Sequence, residues 1–377
     1  MFSKSHPMRS AFGMILTLVL AVFFGIVGYS IAAPVIERLS AEAESPTTVP
    51  AETTTTAMTE MQTETTSAAA LTTSAPAETT VTTTATEPAV TRFAEPVQLA
   101  YCLPEESLTD PELLELTAES LRSQGYTAMV FPLKTAGGKL LYASETEAAS
   151  VSNAFDADAP SLADLAAVAS LRNMQCMARF DTLNDNIYPA AYQNGAYCIA
   201  DEGGRWLDTA EERGGKPWLS PFTDAARAYL SSLCGEITDA GFTGIYCTDL
   251  RFPYFRDSDV SLLGSYVNDS VRRRDALAAV MTEMVNAASG AVYTCGVHEE
   301  NNTETISAIA ADAPVCVMIA PADPASAAAQ LTEAVSLIEG RELIPWVLRG
   351  AMDDASLNAV LDSLYEAGYR KMVVSES

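Results

Sequence analysis

The chain has 377 residues, with 22 Lys and Arg against 49 Asp and Glu and a formal net charge of -27 at pH 7. That balance excludes nucleic acid as a partner, because phosphates need clustered cations, and beyond this it bears on solubility and repulsion and names no ligand. The only histidines are His6 and His298, and no His/Cys/carboxylate group has zinc spacing, so neither a metal nor a cofactor is expected.

Residues 11–33 (AFGMILTLVLAVFFGIVGYSIAA) carry no charge and are long enough to cross a bilayer as one helix. Lys4 and Arg9 precede the span, which predicts that residues 1–10 are cytoplasmic and everything after Pro34 is outside. A cleaved signal peptide, giving a secreted protein, is the competing reading. The run exceeds the usual signal core of about 7–15 residues, which favours a single-pass anchor in the cell membrane. Residues 34–92 are mostly Thr, Ala, Glu, Ser and Pro with few large apolar side chains. Such a segment cannot bury enough surface to offset its chain entropy, so a disordered stalk is expected, with or without O-linked sugars.

From residue 93 onward, short apolar runs alternate with amphipathic segments of helical period. The runs fall at 97–103, 127–134, 175–181, 244–252, 291–297, 315–321, 343–348 and 371–376. GYTAMV (125–130), GFTGIY (241–246) and GYRKMV (368–373) repeat one helix-stop and strand-start device. Eight strands alternating with helices predict a (β/α)8 TIM barrel over 93–377. An open doubly wound sheet is the alternative, although no Gly-rich phosphate loop follows the first strand. Insertions at 182–220 and 253–273 would lie over the C-terminal mouth. Cys102, Cys176, Cys247, Cys295 and Cys316 sit inside the apolar runs and are expected to be free core thiols.

Strand alternation decides which polar groups share a face. In the fourth run it groups Ile245, Cys247, Asp249 and Arg251; in the third, Met177, Arg179 and Asp181; in the second, Val130, Pro132 and Lys134. The expectation is that Lys134, Arg179, Asp181, Asp249 and Arg251 converge on one mouth, either as a site or as a buried ionic lattice. The fifth run leads into His298, Glu299 and Glu300. A second carboxyl group near Asp249 is what glycoside hydrolysis requires; capping of the next helix is the alternative role for this segment. Trp346 either offers a face to a sugar or fills the barrel. Trp206 and Trp218, in the first insertion, are easier candidates for sugar stacking.

VFPLKTAGGKLLYAS (130–144), ARFDTLND (178–185), GGRWLD (203–208), PWLSP (217–221), DAGFTGIYCTDLRFP (239–253) and IPWV (344–347) together resemble a bacterial family of glycoside hydrolase domains. That family is related to the α-amylase-type barrels and is often exported or tethered at the cell surface. The resemblance implies a polysaccharide or oligosaccharide partner and a carboxylate-pair mechanism with Asp249 in the place of the β4 nucleophile. It matches Lys134, Arg179 and Arg251 to family cations, and it takes the general acid from the fifth strand, first Glu299 and then Glu300. Asp181, His298 and Trp346 complete the substrate-binding candidates. The chain departs from the family at Asp249-Leu250, where relatives have Asp-Tyr, and at Tyr293–His298, where Cys295 replaces an acidic residue. The alternative is therefore a carbohydrate-binding or envelope scaffold barrel that has lost the β5 acid.

Overall fold

In the computed structural model the described residues are 92–376, apart from 202, 298–313 and 339. The expected span (11–33), nearly all of the stalk, and His298, Glu299 and Glu300 lie outside them. Among the described residues no helix is long and apolar enough to cross a membrane.

Eight parallel strands close into a barrel in sequence order: β1 (Gln98–Cys102), β2 (Ala128–Lys134), β3 (Gln175–Asp181), β4 (Gly244–Thr248), β5 (Ala291–Val297), β6 (Val315–Ile319), β7 (Leu343–Leu348) and β8 (Lys371–Ser375). The expected (β/α)8 architecture is borne out, and the pairing of β8 with β1 rules out the open sheet. Helices follow or interrupt the strand connections: α1 (Pro111–Ser123), α2 (Glu147–Val151), α3 (Leu162–Ser170), α4 (Tyr188–Ala191), α5 (Asp224–Asp239), α6 (Asp257–Leu263), α7 (Ser270–Ala287), α8 (Pro324–Leu337) and α9 (Asp354–Glu366). Their starts are written in short polar side chains. The Asp110, Ser161, Thr223 and Asp269 side chains accept from the first free backbone N–H groups of α1, α3, α5 and α7. The Asp269 cap starts α7 at Ser270 and α6 occupies Asp257–Leu263, so much of the 253–273 insertion is helical.

Two apolar layers result. The larger lies between sheet and helices; the smaller fills the barrel with Ala100, Cys102, Val130, Met177, Tyr246, Tyr293 and Trp346 among others. Tyr246 stacks on Tyr293 with ring centroids 5.0 Å apart and meets Trp346 edge-on at 5.5 Å. Gly244 makes room below, since a Cβ there would stand 2.5 Å from Met177 Cε. All seven cysteines are free. Desolvation pushes the Cys102 and Cys247 thiols up to about 12, so they pack as small hydrophobes rather than act as nucleophiles.

The strand faces differ from expectation in β4 and β2. In β4 the inward side chains are Tyr246 and Thr248, whereas Ile245 and Cys247 belong to the outer layer. Alternation counted back from Asp249 assumed a strand running to Phe252. The strand ends at Thr248, and Asp249 takes a left-handed backbone conformation with φ of 48°. In β2 the register shifts between Pro132 and Lys134, so Lys134 pairs beside Phe180 and leaves the interior face.

The first described residues strap onto the last helix. Arg92 pairs with Asp362 at 2.8 Å, Phe93 stacks on Tyr365 at 4.7 Å, and Arg370 holds Glu95.

Candidate active site

The C-terminal ends of β3 and β4 lie side by side, with Asp181 in register with Thr248. Thr248 Oγ1 donates to Asp181 Oδ1 across the two strands. Arg179, two residues earlier on the same face, lies 3.7 Å from Asp181 Oδ2 and donates to Glu105 Oε1 at 2.5 Å. Glu105 begins the single helical turn after β1. A polar chain of Glu105, Arg179, Asp181 and Thr248 thus links the ends of β1, β3 and β4 above the aromatic fill.

Burial pushes the Asp181 carboxyl above the usual carboxylate range. The Thr248 hydrogen bond and the Arg179 charge oppose this, while the Asp249 charge adds to it. A carboxyl raised in the folded state is less costly to bury when protonated, so it lowers stability as pH rises from about 3.9 through the raised value. Asp181→Asn keeps an acceptor for Thr248 and removes this titration. The variant should therefore gain stability relative to the parent as pH rises above about 4. Parallel curves of unfolding midpoint against pH for the two proteins would contradict it.

Asp249 closes the next turn of backbone. Its Oδ2 accepts from Asn184 Nδ2 at 3.0 Å and its Oδ1 from Arg251 Nε at 2.9 Å, while its carbonyl accepts from Leu183 N at 3.2 Å. Its side chain stays 26% exposed. Each carboxylate oxygen keeps a second lone pair for a ligand. A non-glycine residue in the left-handed region costs of order 1–3 kcal/mol and persists where surrounding contacts impose it, which is common at functional sites. Here those contacts come from the loop after β3 and from Arg251.

Lys134 does not reach the mouth. Its side chain and that of Asp185 are 0% exposed, with Nζ 3.1 Å from Asp185 Oδ2. That oxygen accepts no well-angled hydrogen bond, so the contact is Coulombic and weakly directional. Nζ also donates to the carbonyls of Asp181 (2.6 Å) and Thr182 (3.3 Å). Asp185 Oδ1 accepts from Ile187 N and Tyr188 N. Lys134 therefore stands behind the loop that carries Leu183 and Asn184 to Asp249, and acts on the site through it. Gly138 covers this pair with φ of 97°, and a Cβ there would fall 2.2 Å from Asp185 Oδ1. Gly138→Ala should cost about 1–3 kcal/mol from backbone strain, with the clash in addition. A denaturation midpoint equal to the parent's would contradict this.

The tryptophans do not behave as sugar-facing groups. Trp346 is 2% exposed inside the barrel and donates from Nε1 to Ser375 Oγ at 2.9 Å. Trp206 is buried and donates to Asp259 Oδ1, joining the insertion after β3 to α6. Trp218 is partly buried with its N–H on Asp208. A cavity of about 590 Å³ lined by Leu108, Leu114, Leu140 and Leu165 lies beside α1 and α3, and none of the candidate site residues lines it.

Of the expected residues, the structure brings Arg179, Asp181, Asp249 and Arg251 to the barrel's C-terminal face and puts Lys134 and Trp346 inside the protein. Glu105, Asn184 and Thr248 were missed. Glu105 and Asn184 do follow strand ends, where this fold collects polar groups, and that position was the signal available for them.

A closed parallel barrel with carboxylates and guanidinium groups clustered at strand C-termini has the layout in which barrel enzymes build their sites. Residues 101–299, more than half of the 377, match the family described as "Putative glycosyl hydrolase domain". The chain belongs to that family, and its barrel is glycoside hydrolase-like.

Among solved structures, an exo β-N-acetylglucosaminidase of glycoside hydrolase family 20 from Vibrio harveyi is 7% identical with a TM-score of 0.46. The match covers 67% of this chain and 41% of that one. A variant of the glycoside hydrolase domain of PelA from Pseudomonas aeruginosa is 14% identical (TM-score 0.42; 75% and 96% covered). A hypothetical protein from Ruminiclostridium thermocellum is 16% identical (TM-score 0.42; 52% and 96% covered). The chain thus spans less than half of the Vibrio enzyme's length. Likeness at this level carries no information on substrate or mechanism. A comparison with curated proteins finds no match.

Proposed function

We propose that the barrel, residues 93–377, hydrolyses glycosidic bonds in a cell-envelope or extracellular polysaccharide, with Asp249 as nucleophile or charge stabiliser. The observation that carries this reading is the Asp249 carboxylate. It is oriented by Asn184 and Arg251, fixed by a left-handed backbone, and open to solvent at the end of β4. Hydrolysis needs a second carboxyl group as acid, and Glu299 and then Glu300, in the segment after β5, are assigned that role. The relation to α-amylase-type barrels, from which Asp249 takes its assignment, belongs to the same proposal. So do the span at 11–33 and the Thr-rich segment 34–92 as a tether holding the barrel outside the cell membrane, the secreted form being the alternative.

A second reading is favoured by one observation. Cys295, where the family resemblance expects an acid, is a buried thiol packed inside the barrel. A barrel without that acid would retain glycans without cleaving them. Incubating the protein and Asp249→Asn with a broad panel of glycans separates the two. Turnover lost in the variant supports hydrolysis, and retention without turnover supports binding.

A further inference from the structure

Five residues after Asp249 the chain holds one large aromatic side chain out in solvent. Tyr254 is 84% exposed, more than any other large apolar side chain described, while Phe252 (6%) and Phe255 (8%) on either side are buried. The flanks are pinned separately. Phe252 lies under the Arg273 guanidinium at 4.1 Å and against Phe222 at 5.5 Å. Phe255 packs on Tyr197 at 5.3 Å and on Trp206 at 5.1 Å. Arg256 N donates to Asp259 Oδ2 at 2.8 Å as α6 begins.

A single exposed apolar side chain is ordinary on a protein surface. What sets Tyr254 apart is its position in the β4 loop of the mouth, no more than about 18 Å of chain from Asp249, on backbone fixed at both ends. A ring presented this way loses little further freedom on binding. Half-exposed Arg251 and Arg256 flank it and can donate to hydroxyl groups.

We propose that Tyr254 is a stacking platform for a pyranose ring of the glycan, at least one unit away from the bond beside Asp249. The apolar C–H face of such a ring suits the electron-rich face of the aromatic. The proposal rests on the glycan reading above and adds a subsite to it.

The test uses the full chain with disaccharides and hexasaccharides of β-1,4-linked N-acetylglucosamine, β-1,4-linked glucose and α-1,4-linked glucose. KM is read where the parent cleaves, and Kd where it binds without cleaving. Tyr254→Ala should raise the value for the hexasaccharide about two- to tenfold. It should leave the disaccharide and the unfolding midpoint unchanged, and Tyr254→Phe should restore the parent value. Equal values for parent and Tyr254→Ala at both lengths would overturn the platform and leave the hydrolase reading standing. A parent that neither binds nor cleaves these sugars or any member of the broad glycan panel would overturn both.

Discussion

Replacing Lys134 by Met should destabilise the barrel by about 3–5 kcal/mol, because it leaves the Asp185 carboxylate buried without a counter-charge. Lys134 and Asp185 are both 0% exposed, and Nζ also donates to the carbonyls of Asp181 and Thr182. The ammonium therefore leaves three acceptors behind when it is removed. Urea denaturation of Lys134→Met against the parent measures the cost, and a difference below about 1 kcal/mol would sink the claim that this pair holds the loop. Asp185→Asn is expected to be less severe. An amide oxygen can still accept from Ile187 N and Tyr188 N, although the ammonium then lacks its partner. The same loop presents Leu183 and Asn184 to Asp249. Lys134→Met should therefore also lower activity, although Lys134 touches no solvent.

Asp249→Asn should reduce turnover of a cleaved glycan by about 10²–10⁴-fold, the range for loss of a group that acts in the transition state. The substitution is nearly isosteric and keeps an oxygen acceptor, so the unfolding midpoint should change little. That separates a chemical defect from a folding defect. The side chain's partners are Asn184 and Arg251, one from the loop after β3 and one two residues along the chain. Removing either should cost less than removing the carboxylate, because each leaves the other donor in place. A variant whose kcat/KM stays within about threefold of the parent would remove Asp249 from the mechanism.

The alternation of apolar runs and amphipathic segments placed every barrel strand to within a few residues. Periodicity and burial act over a handful of neighbouring residues and leave their record in local order. Helix starts were legible for the same reason, since Asp110, Ser161 and Thr223 cap α1, α3 and α5 from the position next to them. The placing of Arg179 and Asp181 at the mouth followed as well, because β3 runs unbroken to Asp181 and alternation holds along it.

Alternation failed where a strand stopped or slipped. Asp249 reaches the mouth through a left-handed residue beyond the end of β4, so Tyr246 and Thr248, and not Ile245 and Cys247, face the interior. A register shift turned Lys134 to the outer layer, where Asp185 from the next strand's loop receives it. Glu105 and Asn184 joined Arg179 and Asp249 from segments far away in the chain, and only the pairing and curvature of the sheet bring those segments together. The sequence by itself thus determined the eight-stranded barrel, which is written in residue type and local period, while Asp249 was singled out by the family resemblance and not by alternation. The tertiary structure decided which charges are buried supports, which stand open at the mouth, and which aromatic residue is left bare. Those outcomes depend on where strands end, on cross-strand register and on ion pairs between segments distant in the chain.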